Sequence, residues 1–256
     1  MNPAKSTITL TFGDMAENHV GMEQIGARVA KGQGVHLADL KAILVKCRAA
    51  SITAKLHVLN GPDQPPAYLL IIKKGVEALL GSGSAKALFK EQAALDHDKK
   101  ALMYKRVCNK KARWNLCFSE IGHPPAYEEG KGRVVAYDDV PLTKALAAAL
   151  PTWFGPKAEG LQCEGNYYYD AASCGIGYHG DTERRRVFAV RLGATIPICF
   201  QWFQRGEPIG PRMRLEVEDG DIYIMSEKTV GTDWKSRGVP TLRHAAGAAA
   251  YTNPTA

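Results

Sequence analysis

From about residue 160 to 247 the sequence breaks into short runs of β-branched and aromatic residues separated by turn chemistry, and that pattern leaves few folds open. The runs are GLQCEGNYYYD, RRRVFAVRLGATIPICFQWFQ, PRMRLEVEDGD, IYIMSE and PTLRHAAG, with RGEPIGP and EDGD as hairpin turns. Many short strands at this spacing predict a β-sandwich or jelly-roll barrel. The upstream half reads differently. Residues 6–12 (STITLTF) alternate as a strand, and 36–50 carry Leu37, Leu40, Ile43, Leu44 and Cys47 at helical spacing. Residues 53–60 and 67–75 read as strands around the turn GPDQPP. Leu88, Leu95 and Leu102 fall seven apart, which predicts one long helix over 84–107, and 142–153 reads as a short helix ended by Pro151. The expected fold is α+β, with an N-terminal α/β subdomain over 1–113, suited to substrate recognition, and a jelly-roll core over 114–256.

A chain that is 45% hydrophobic and 23% charged has the composition of a soluble globular protein. Its most apolar stretch, Ala67 to Ile72, meets Lys73 and Lys74 at once, far short of the roughly 18 uncharged residues a membrane helix needs. The N-terminus lacks a basic segment followed by an apolar one, so no secretory signal is read. The six cysteines include no C-x-x-C pair, as expected of reduced thiols in a cytoplasmic or nuclear protein. A transition metal would then be held by histidine and carboxylate. The net charge of +7 biases the chain toward polyanionic partners.

Tyr178-His179-Gly180-Asp181 carries the sharpest chemical signal. On an extended segment, His-x-Asp points both side chains to one face, because strand side chains alternate with period two. A second histidine would complete a 2-His-1-carboxylate facial triad with three open positions. One histidine follows, His244, after four or five expected strands.

NYYYDAASCGIGYHGDTE (166–183), VFAVRLGATIPICFQW (187–202) and MRLEVEDGDIYIMS (213–226) together resemble the catalytic core of AlkB-like Fe(II)/2-oxoglutarate dioxygenases, with TET/JBP-like relatives close by. Asn166 and Tyr168 match an N-x-Y before H-x-D; Leu192-Gly193, Phe200-Gln201 and Gly220-Asp221 match later marks of the family. The resemblance covers roughly 160–247 and implies a double-stranded β-helix. It implies that His179, Asp181 and His244 hold Fe(II), that Asn166 and Tyr168 hydrogen-bond the co-substrate 2-oxoglutarate, and that O₂ takes the remaining metal position. Glu183 stands where such enzymes place an acid facing the substrate base; a solvated charge beside Arg184 is the plainer alternative.

One departure matters. The family holds the distal carboxylate of 2-oxoglutarate with an arginine beyond the second histidine, and the twelve residues after His244 contain none. Arg191, in phase with Val187 and Ala189 on an otherwise apolar strand, is the candidate replacement. The alternative is an Arg191 that faces outward. Arg243, next to a metal ligand, should point the opposite way.

Residues 99–113 carry seven Lys/Arg and no acid, with Tyr104 among them. Lys105, Arg106, Lys110 and Lys111, with Arg184 and Arg185 beside the metal motif, form candidate phosphate contacts, and exposed aromatics can stack on bases. A solvated helix end is the bland alternative. Residues 13–26 read as a loop, with contact to substrate as the sharper reading. The sequence thus points to an Fe(II)/2-oxoglutarate dioxygenase oxidising a methyl group on a nucleobase of DNA or RNA. An amino-acid or protein side-chain hydroxylase and a catalytically silent nucleic-acid-binding β-barrel stay open.

Overall fold

A computed structural model describes residues 1–253. Sixteen strands and four longer helices, numbered in chain order, make up the described chain. The N-terminal half holds β1 (Thr7–Gly13), β2 (Met15–Glu17), β3 (Gln24–Gly26), α1 (Leu37–Ala49), β4 (Ala54–Val58) and β5 (Tyr68–Ile72). It continues through α2 (Gly75–Leu80), α3 (Ser84–Ala93), β6 (Lys100–Met103), β7 (Arg106–Asn109), β8 (Trp114–Ser119), β9 (Val134–Ala136) and α4 (Pro141–Phe154). Then follow β10 (Gln162–Tyr168), β11 (Gly175–His179), β12 (Val187–Gly193), β13 (Ile196–Gln204), β14 (Glu207–Val217), β15 (Ile222–Met225) and β16 (Thr241–Gly247).

Eight strands form one sheet in the order β4-β5-β15-β12-β1-β10-β8-β9, and four form a second in the order β11-β16-β13-β14. Pairing is antiparallel except between β8 and β9. Alternation within each strand decides which layer its side chains enter. In β1, Ile8, Leu10 and Phe12 are fully buried in the core between the large sheet and helices α1–α4. Phe188, Val190 and Leu192 of β12 and Cys163 and Tyr167 of β10 join them. On the other face, Val187 and Ala189 meet Ile198, Phe200 and Trp202 of β13, closing a second core between the two sheets. The fold is therefore α+β in three layers, helices over the large sheet over the small sheet. No described helix is long and apolar enough to cross a membrane.

The expected seam at residue 113 does not coincide with a division of the sheet. β1, β4 and β5 are strands of the large sheet, and β1 lies between β10 and β12. Helix α1 forms where its apolar spacing places it, burying Leu40, Ile43 and Cys47, with His36 and Asp39 capping its first turn reciprocally. The single long helix over 84–107 does not form. Helix α3 stops at Ala93, His97 turns its ring onto Tyr167, and Asp98 bridges to Asn115 of β8. Asp98 also accepts from Asn18 Nδ2, Tyr127 Oη and the Arg133 amide. These long-range bonds outweigh the helical spacing of three leucines, and the chain continues as the β6–β7 hairpin. Helix α4 runs three residues past Pro151 rather than ending at it, since only one amide is lost in a last turn. All six cysteines are free thiols, five of them buried.

Candidate metal centre

His179 ends β11 and His244 lies in β16, and the two are register partners across an antiparallel pair. Their rings lie 4.4 Å apart between centroids. Asp181 follows two residues after His179, fixed by its backbone amide to the Val230 carbonyl at 3.0 Å. Its Oδ1 stands 3.4 Å from His179 Nε2 and 3.5 Å from His244 Nε2. Ligand atoms of all three residues fall within 4.8 Å of one another. Donors to one first-row ion sit ~2.1 Å from it, so neighbouring donors lie ~3 Å apart, a closure of a few tenths of an ångström from this arrangement. His179 Nδ1 faces the Gly177 carbonyl at 2.8 Å. A carbonyl only accepts, so Nδ1 carries the proton and Nε2 keeps its lone pair for a metal.

Electrostatics agree with a metal-ligating role. Burial pushes the Asp181 carboxyl up, but the Arg184 guanidinium and the two facing histidines outweigh it and hold it well below the usual range. Burial, with His179 nearby, lowers His244 below the usual imidazole range. A carboxylate facing two imidazoles is the 2-His-1-carboxylate donor set of a metal-dependent oxidoreductase site.

The triad opens into a cavity of about 360 Å³ between the sheets. Period-two alternation sends Glu164, Asn166 and Tyr168 of β10, Thr9 and Thr11 of β1, and Arg191 of β12 to its wall. Arg191 is completely buried; among the described residues its Nε and Nη1 find no hydrogen-bond partner, and no carboxylate makes an ion pair with it. Its guanidinium carbon lies 5.9 Å from the Tyr223 ring centroid. Thr9, register partner of both Arg191 and Asn166, also has an unpartnered buried Oγ1.

No family model matches the chain. An uncharacterized protein of Acanthamoeba polyphaga mimivirus is 45% identical over 254 residues, spanning 96% of this chain and 98% of the viral one. The chain belongs to that protein's family. Because the match runs nearly end to end, the family shares the whole length that builds the three layers and not one module of it.

Within this family member, the cavity gathers eight of the residues expected from sequence: His179, Asp181, His244, Asn166, Tyr168, Arg191, Glu183 and Arg184. Asn166 is already engaged. Its Oδ1 accepts from Arg113 Nε and Asn115 Nδ2, both at 2.7 Å, and its Nδ2 donates to Glu164 at 2.8 Å. Burial raises the Glu183 carboxyl, which pairs with Arg184 at 2.6 Å. Arg243 does point away, its guanidinium stacked 4.1 Å from the Phe203 ring centroid.

The expected phosphate contacts divide. Lys105, Arg106 and Lys111 are exposed. Lys110 is 9% exposed, its Nζ donating to Asn18 Oδ1 and Asn115 Oδ1, and burial pushes its pKa down to about 8. Arg184 is 4% exposed and pairs with Glu164, Glu183 and Asp181. Arg185 donates to the Val29 carbonyl and reaches Glu227 at 3.3 Å. Lys110, Arg184 and Arg185 are thus committed inside the fold, because a buried cation must be paired. Arg184→Met should expose that commitment. Three buried carboxylates would lose their counter-charge, and urea unfolding should show about 3–5 kcal/mol less stability; a change below 1 kcal/mol would contradict the assignment.

Sequence reasoning missed Arg113, Glu164, Thr9 and Tyr223 as cavity residues. Glu164 and Thr9 were legible in principle, since each is in phase with a recognised neighbour. Arg113 was hidden in the basic run.

Proposed function

We propose that the protein is an Fe(II)/2-oxoglutarate-dependent dioxygenase, and the observation that carries this is Arg191. A fully buried guanidinium without an anion, in the same cavity as a His-Asp-His cluster, fits a dicarboxylate that chelates the metal at one end and meets Arg191 at the other. The Thr9 hydroxyl stands beside it, and the Tyr168 phenol, which burial raises, is close to both Arg113 and Arg191. His179, Asp181 and His244 would hold the iron. Bound there, iron and 2-oxoglutarate supply the oxidising power that inserts one atom of O₂ into a C–H bond, the other ending in succinate as CO₂ leaves.

The chain's own residues do the rest. Arg184 keeps Asp181 anionic and in place, and the Gly177 carbonyl sets the His179 ring. The apolar wall of Val187, Ile198 and Met225 limits water beside the triad. Topology supports the family reading too. From β10 to β16 the chain passes large sheet, small, large, small, small, large, small. That alternation suits an eight-stranded jelly roll with β1 in the eighth place, between β10 and β12. The AlkB-like resemblance extends this to a nucleobase methyl group as the substrate.

Incubation with Fe(II), ascorbate, 2-oxoglutarate and N-methylated or 5-methylpyrimidine oligonucleotides tests it. The expected result is succinate with matching loss of methylated nucleoside by mass spectrometry. Succinate without nucleoside change would move the substrate to an amino acid or protein side chain, and no succinate under any condition would overturn the enzyme reading.

A further inference from the structure

The β6–β7 hairpin is a two-stranded ribbon paired with no other strand among the described residues. Its two-residue tip is Tyr104-Lys105, with φ of 50° and 63°. Both central residues in the left-handed region make a type I′ turn, whose preferred residues are Asn and Gly. A tyrosine is unfavourable there, and no packing offsets it, because Tyr104 is 98% exposed. A strained aromatic left almost wholly in solvent points to a contact outside its own chain. The surroundings say what kind. Lys99, Lys100, Lys105, Arg106 and Lys111 are all exposed, and none forms an ion pair among the described residues. The ribbon is rooted at the cavity. The Lys110 amide bonds the Lys99 carbonyl at the hairpin base, Lys110 Nζ reaches Asn18 on the cavity wall, and Arg113 follows in that wall.

We propose that this hairpin is a nucleic-acid-binding arm, with Tyr104 stacking on a base and the five cations following the phosphates. The proposal rests on the reading of the cavity as a nucleobase-oxidising site. A single aromatic among spaced cations suits a polymer that alternates flat bases with charges; a lipid surface would call for several apolar side chains. At ~3.3 Å per residue, the ring stands ~17 Å from the hairpin base.

The test is fluorescence anisotropy with a labelled 20-nucleotide single strand and its duplex, across a salt series, on the full chain. Tyr104→Ala should weaken single-strand binding roughly tenfold while leaving the salt slope unchanged. Replacing Lys100, Arg106 and Lys111 by glutamine should flatten that slope by about 2. The double variant Tyr104→Asn/Lys105→Gly installs the preferred turn. It should raise Tm by a few degrees yet bind no more tightly than Tyr104→Ala, with a salt slope lower by about 0.7 for the lost lysine, separating binding from folding. Wild-type affinity in Tyr104→Ala, an unchanged slope in the charge variant, or preference for phosphatidylserine vesicles over oligonucleotide would each overturn the proposal. Wild-type succinate formation without oligonucleotide is read separately. Oligonucleotide binding without it would fail the cavity reading alone, and the converse would fail the arm alone.

Discussion

Arg191→Met should weaken 2-oxoglutarate binding by about 100-fold or more while making the ligand-free protein more stable. The two effects share one cause. The guanidinium is fully buried, two of its nitrogens lack partners, and no carboxylate neutralises it among the described residues. Such a charge costs several kcal/mol of desolvation, which the Tyr223 ring 5.9 Å away offsets only in part. Methionine, of similar reach and on a strand face otherwise lined by Val187 and Ala189, removes that cost. The same change deletes the charge-assisted bonds a distal carboxylate would receive. Calorimetric titration and thermal unfolding of one variant read both. Loss of stability together with wild-type affinity would show that Arg191 is structural and that the dicarboxylate is anchored elsewhere.

Gly180→Ala should abolish high-affinity divalent metal binding although it replaces no ligand. Gly180 stands between two members of the triad, and a Cβ there would lie well inside van der Waals contact of the Gly231 carbonyl oxygen and carbon. Backbone cannot yield as a side-chain end can, so the turn carrying Asp181 must shift. Metal donors tolerate only a few tenths of an ångström of error. His244→Ala gives the reference, losing one ligand outright. Both variants should show metal content near background by elemental analysis, against about one equivalent in the wild type. A Gly180→Ala protein that retains tight binding would place the metal outside this cluster.

Local periodicity and local motif made much of the site legible. His-x-Asp converges as expected, although Asp181 lies past the end of β11 and is fixed by its amide bond to the Val230 carbonyl; strand alternation puts Arg191 on the inter-sheet face with Val187 and Ala189. Strand β1 was visible as a strand but not as the partner of both β10 and β12, because sheet neighbours so far along the chain, such as Thr7 with Tyr168 and Gly193, leave no local trace. The hairpin was misread for a related reason. Leucines seven apart match a helix, while the contacts that stop α3, His97 on Tyr167 and Asp98 on Asn115, are made with distant strands. Charge was the least legible quantity. Arg184, Lys110 and Lys105 look alike in sequence, yet the first two serve buried carboxylates and amides and the third is in solvent.

The central claim is that the His-Asp-His cluster and Arg191 form one ligand site. Calorimetric titration of 2-oxoglutarate into the protein under anaerobic conditions, with and without Fe(II), tests this most directly. Micromolar binding that requires both the metal and Arg191 is the predicted result. Binding that is indifferent to the metal, or that survives in Arg191→Met unchanged, would contradict it.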